Sequence, residues 1–84
     1  MGRAHRSRPK RLGEKLLLIR TRLDLTQSEL IKQLGVKSEK LYPSSISLFE
    51  SGGREPSLIV LLAYSKLSGW TINDLVDDKV KLSA

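Results

Sequence analysis

Residues 25–52 read LTQSELIKQLGVKSEKLYPSSISLFESG, and the fold turns on this stretch. Thr26-Gln27-Ser28-Glu29 is a capping box, in which a hydroxyl and a carboxylate three residues apart satisfy the free amides of a helix start. The helix that follows buries Leu30, Ile31 and Leu34. Gly35 ends it, because glycine takes the left-handed conformation of a helix stop without steric cost. A polar connection from Val36 to Tyr42 leads to Pro43, whose missing amide and fixed φ suit the first position of another helix. That helix is expected over Pro43 to Ser51. Ile46 and Phe49 are its only strongly inward residues, so Ser44, Ser45, Ser47 and Leu48 face elsewhere. Gly52 and Gly53 stop it.

Upstream, Leu12, Leu16, Ile19 and Leu23 fall at steps of four, three and four, which places them on one face of a first helix. Downstream, Pro56-Ser57 marks the start of a fourth helix. Its stripe is read as Leu58, Leu61, Leu62 and Ser65 with Ala63 and Leu67 alongside, almost wholly buried. Thr71, with Asp74 three residues on, is a second capping box, opening a short fifth helix that turns Ile72, Leu75 and Val76 inward. No strand-like alternation, internal repeat or hairpin turn signal is present, so the fold class is all-α with five helices. Residues 1–11 form a polar arm without apolar periodicity, 12–78 the folded domain and 79–84 a fraying tail.

In a chain of 84 residues there is room for one domain with a modest core. The absence of cysteine removes disulfides, thiolate metal sites and a cysteine nucleophile, and His5, the single histidine, lies in the arm without partner ligands. No metal and no cofactor is expected. No apolar run reaches the roughly 20 residues that span a bilayer, and no signal-peptide pattern follows the basic start, so a soluble, cytoplasmic protein is expected. The charge is lopsided: the first 22 residues hold eight Lys or Arg against the single acid Glu14, whereas the remaining 62 hold seven bases and eight acids. Such asymmetry favours a polyanionic partner, although charge alone does not separate DNA, RNA and an anionic membrane. Paired carboxylates, a nucleophile with its base and a phosphate-cradling glycine loop are all missing from the pattern, so an enzyme is not expected.

A short helix, a glycine-containing turn and a second short helix with few inward residues is the sequence form of a helix-turn-helix. Five strings carry the likeness: Leu25-Thr26-Gln27-Ser28-Glu29-Leu30, Leu34-Gly35-Val36, Ser45-Ile46-Ser47-Leu48-Phe49-Glu50-Ser51-Gly52, Arg54-Glu55-Pro56-Ser57-Leu58 and Thr71-Ile72-Asn73-Asp74-Leu75. In their order and spacing the chain resembles the phage repressor and Cro-like family of DNA-binding domains, also called the XRE family, over roughly Leu12 to Asp77. The likeness departs in the turn, where about five extra residues separate Gly35 from Ile46. They form either a bulging loop that leaves both helices in place or an extension of the second helix.

The resemblance implies a lambda-repressor-like fold and a small transcriptional regulator, a repressor, that binds double-stranded DNA with its third helix in the major groove. Ser44, Ser45, Ser47 and Leu48 would then meet base edges, the serines as weak donors or acceptors and Leu48 against a thymine methyl. Gln27, at the first turn of the second helix, would hold a phosphate, with Ser51, Arg54, Lys37 and Lys40 as flanking phosphate contacts. Arg20 and Glu50 match a pair that family members join as a salt bridge between the first and third helices. Arg3, Arg6, Arg8, Lys10 and Arg11 would follow the backbone or enter a minor groove. Family members bind as two-fold dimers, for which Trp70, Val76, Val80 and Leu82 are the expected contacts. The rival reading from another class is a protein-interaction module, like an antitoxin or a bridging factor that docks a second protein.

Overall fold

In the computed structural model, which describes residues 9–82, five helices follow one another: α1 (Leu12–Arg22), α2 (Gln27–Leu34), α3 (Pro43–Ser51), α4 (Leu58–Ser68) and α5 (Ile72–Val76). No strand occurs among the described residues, so the domain is all-α. Both capping boxes form: Thr26 Oγ1 accepts the Glu29 amide while the Glu29 carboxylate accepts that of Thr26, and Thr71 and Asp74 repeat the exchange. Ser57 caps α4 by accepting the amide of Val60. Gly35 ends α2 at φ 64°, a conformation in which a side chain would be strained.

The core gathers Leu12, Leu16 and Ile19 of α1, Leu30 and Leu34 of α2, Ile46 and Phe49 of α3, Val60, Leu61 and Tyr64 of α4, and Leu75 of α5. Three of the four stripe residues of α1 are in it. The fourth, Leu23, lies beyond the helix and is exposed, because the chain turns at Asp24. Asp24 takes a left-handed conformation at φ 56°, which aspartate tolerates better than most residues, and the following amide of Leu25 donates to the carbonyl of Arg20.

The extra residues of the turn form a loop. α2 stops at Leu34, and the loop is tied back where Ser57 Oγ donates to Glu39 Oε2 at 2.8 Å. Two expectations need correction. α4 is not almost wholly buried: Leu58, Ile59 and Leu62 are 70, 53 and 42% exposed, and its buried side is Val60, Leu61 and Tyr64. Seven consecutive apolar residues carry no periodicity, so nothing in that run marks which side turns inward. The tail does not fray as far as Leu82, which lies against the core, with Val80 N–H donating to the Asp77 carbonyl.

Two polar joints close α1 against α5. The Asp78 carboxylate accepts the backbone amides of Lys10 and Arg11, both at 2.9 Å, which ties the last residues of the basic arm, just ahead of α1, to the segment after α5. Those two amides hold the Asp78 carboxyl below the ordinary carboxylate range. Lys15 is buried at the same end, its Nζ donating to the carbonyls of Asp74 at 2.7 Å and Asp77 at 2.8 Å, at the C-terminal end of α5 where the helix itself supplies no donors.

Candidate nucleic-acid interface

α3 is held from three sides. Ile46 and Phe49 sink it into the core, and α1 meets it most extensively. Gly13 permits that approach, since a Cβ there would stand 2.7 Å from the Glu50 carbonyl oxygen and 3.0 Å from that of Phe49. The expected pair is formed: Arg20 Nε donates to Glu50 Oε2 at 2.7 Å and Nη2 to Oε1 at 3.1 Å, a two-pronged contact that raises the guanidinium's pKa. Its third nitrogen, Nη1, donates to the Leu25 carbonyl, so one side chain ties α1, the turn before α2 and the end of α3. Nearby, the fully buried Tyr64 hydroxyl has no hydrogen-bond partner among the described residues, and burial raises its pKa.

The outer side of α3 then carries Ser44, Ser47 and Leu48, all exposed. Ser45 is the exception and is a correction to the expected base contacts. It is 6% exposed and faces inward, its hydroxyl accepting the Tyr42 amide at 3.1 Å, because a free N–H at the third helix's start needs an acceptor one turn in. Ser47 is bridged to α2, with Gln27 Nε2 donating to its Oγ at 2.9 Å. That bond occupies a lone pair of Ser47 and leaves its proton to donate outward. Gln27 sits where the unpaired amides of α2 and the positive end of its dipole face solvent. The neighbouring Glu29 carboxyl is held below its ordinary range by the amide and hydroxyl of Thr26.

The flanking residues separate into groups. Arg54 is exposed beside the C-terminal end of α3, its guanidinium carbon 5.7 Å from the centre of the Phe49 ring. Lys10 shares a surface depression with Arg54, Gly13 and Gly52, which brings the root of the arm to the end of α3. Ser51 is exposed, but its hydroxyl donates to the Leu48 carbonyl within the helix. Lys40 is exposed in the loop before α3. Lys37 is not brought to this surface: it lines a groove at the other end of α2, beside α4. Arg11 is exposed next to Lys10, whereas Arg3, Arg6 and Arg8 lie outside the described residues.

Of the expected dimer contacts, none is an exposed residue: Trp70, Val76 and Leu82 rest against the core and Val80 is half-buried. Among the described residues no three or more His, Cys, Asp or Glu side chains cluster as a metal site would need, and no helix is long and apolar enough to cross a membrane. Comparison with protein families, curated proteins and solved structures gives no match to this chain.

Proposed function

We propose that the chain binds double-stranded DNA in a sequence-dependent way, as a small cytoplasmic regulator of transcription rather than an enzyme, with α3 in the major groove. The observation that carries this reading is the bridged outer face of α3: Ser44, Ser47 and Leu48 point away from the core, and Gln27 at the start of α2 is bonded to Ser47. A polar helix so exposed on one side, and anchored so firmly on the other, suits a rod laid between two phosphate ridges. The resemblance to the phage repressor and Cro-like family supports the same reading, and repression is the mode it favours.

On this reading Ser44, Ser47 and Leu48 meet bases. Gln27, Arg54 and Lys40 meet phosphates, with the basic arm adding affinity that salt weakens. A symmetric dimer on paired half-sites is part of the proposal, to be read by sedimentation on and off DNA.

Selection from a random duplex pool at several salt concentrations tests the reading. An enriched half-site supports it, and a pool that stays random overturns it. In the selected duplex, Ser47→Ala with Leu48→Ala is expected to cost about 1–3 kcal/mol and to shift base preference, while Arg54→Ala weakens all duplexes alike. Removing residues 2–8, which carry three arginines, is expected to lower the slope of log affinity against log salt by about 2.7 if each neutralises a phosphate.

A further inference from the structure

α4 has a second apolar side that the fold covers only in part: Ala63 rests against the core, while Ile59 and Leu62 are exposed. Ile59, Leu62, Ala63 and Lys66 stand at i, i+3, i+4 and i+7 and so share one face, turned away from Val60, Leu61 and Tyr64. Opposite them lie the last turn of α2 and the residues after it, with Leu34 and Val36 on the floor. The two sides enclose a groove of about 590 Å³. A helix apolar on both sides is ordinarily covered on both, and here the second side keeps Ile59 and Leu62 exposed.

The rim says what covers the other. Lys37 stands on one edge and Lys66 on the other, and no Asp or Glu lines the groove. An occupant that fills the floor with apolar side chains at one-turn spacing and sets carboxylates against both lysines is an acidic amphipathic helix. A second copy of this chain fits poorly, because it offers the same concave groove and the same two lysines, leaving a void at the floor and like charges at the edges. From the Ile59, Leu62 and Ala63 face of α4 and its lysine rim, we infer that this groove is a docking site for an acidic amphipathic helix of a partner protein.

The site is independent of the DNA reading. Gln27 opens α2 and the groove lies at its other end, about 12 Å along an eight-residue helix, so a duplex and a partner can be held together.

The test uses the full chain, labelled with ¹⁵N, and two synthetic helical peptides with leucines at identical i, i+3, i+4 and i+7 positions, one flanked by glutamates and one by lysines. The acidic peptide is expected to bind roughly tenfold or more tightly than the basic one, with amide shifts confined to residues 33–38 and 59–67. Lys66→Glu is expected to erase most of that preference. Leu62→Glu, at an exposed position, is expected to weaken the acidic peptide roughly tenfold while leaving helicity and duplex affinity unchanged. The inference is overturned if the two peptides bind alike, if neither binds, or if the shifts fall elsewhere. It is also overturned if the free chain sediments as a dimer that Leu62→Glu splits, which would give the face to a second copy. None of these outcomes alters the duplex selection, so the two readings fail separately.

Discussion

α3 and α4 follow each other in the chain, yet they hold their places by different means. α3 has three large apolar residues, and two of them, Ile46 and Phe49, fix its rotation, while the polar latches Gln27–Ser47 and Arg20–Glu50 hold its middle and its C-terminal end. α4 opens with seven apolar or aromatic residues in succession, of which Val60, Leu61 and Tyr64 are taken into the core and Leu58, Ile59 and Leu62 are not. A sparse pattern specifies one face. A saturated pattern supplies burial in excess and leaves orientation to be settled by what lies alongside. The excess then remains on the surface.

Truncations would break this contrast most visibly. Phe49→Ala is expected to destabilise the domain by about 3–5 kcal/mol, read from the urea midpoint, since a fully packed ring is replaced by a void. A loss under about 1 kcal/mol would mean that α3 is not anchored by its apolar pair. Glu50→Ala, which leaves a partly buried guanidinium without its carboxylate, is expected to cost about 1–3 kcal/mol. Once Glu50 is gone, its companion Arg20→Ala should cost only what the bond to the Leu25 carbonyl contributes, about 1 kcal/mol. Full additivity of the two would deny the latch.

Gly13→Ala sharpens the comparison from α1's side. Alanine is the better helix former by about 1 kcal/mol, but its methyl would enter backbone carbonyls of α3, and the net expectation is a loss of about 1–2 kcal/mol. A stabilised variant would show that the two helices part easily. Acid gives a subtler signal. The Asp78 and Glu29 carboxyls are both held below their ordinary ranges, so their contribution is present at neutral pH and is lost as pH falls below about 4. Asp78→Asn should therefore flatten the acid limb of melting temperature against pH, and an unchanged limb would remove the α1–α5 joint from the account. Smallest of all, Leu58→Ser on the open side of α4 is expected to stay within about 0.5 kcal/mol of the parent.

The elements legible from residues alone were those with chemical punctuation. The Thr26 and Thr71 boxes, Gly35, Pro43 and Gly52 mark helix ends by stereochemistry, and the observed boundaries of α2 and α3 follow them. The Arg20–Glu50 pair came through family likeness, and its geometry is as expected. The inward place of Ser45 is not legible from sequence, because a small polar side chain fits either side of a helix, and only its bond to the Tyr42 amide decides. Gly13 and Asp78 left no local signal, since their partners lie dozens of residues away. Lys15 did leave one: it falls at i+3 on the Leu12, Leu16 and Ile19 stripe, where a lysine must find internal acceptors or face water.

That lysine gives the domain a built-in chemical clock. With its ammonium enclosed by two carbonyls, Lys15 is shielded from acylating reagents that reach the exposed lysines at 10, 32 and 79 without hindrance. The rate at which it acquires an acyl group, set against those exposed lysines, is expected to follow the opening of the α1–α5 contact that encloses it.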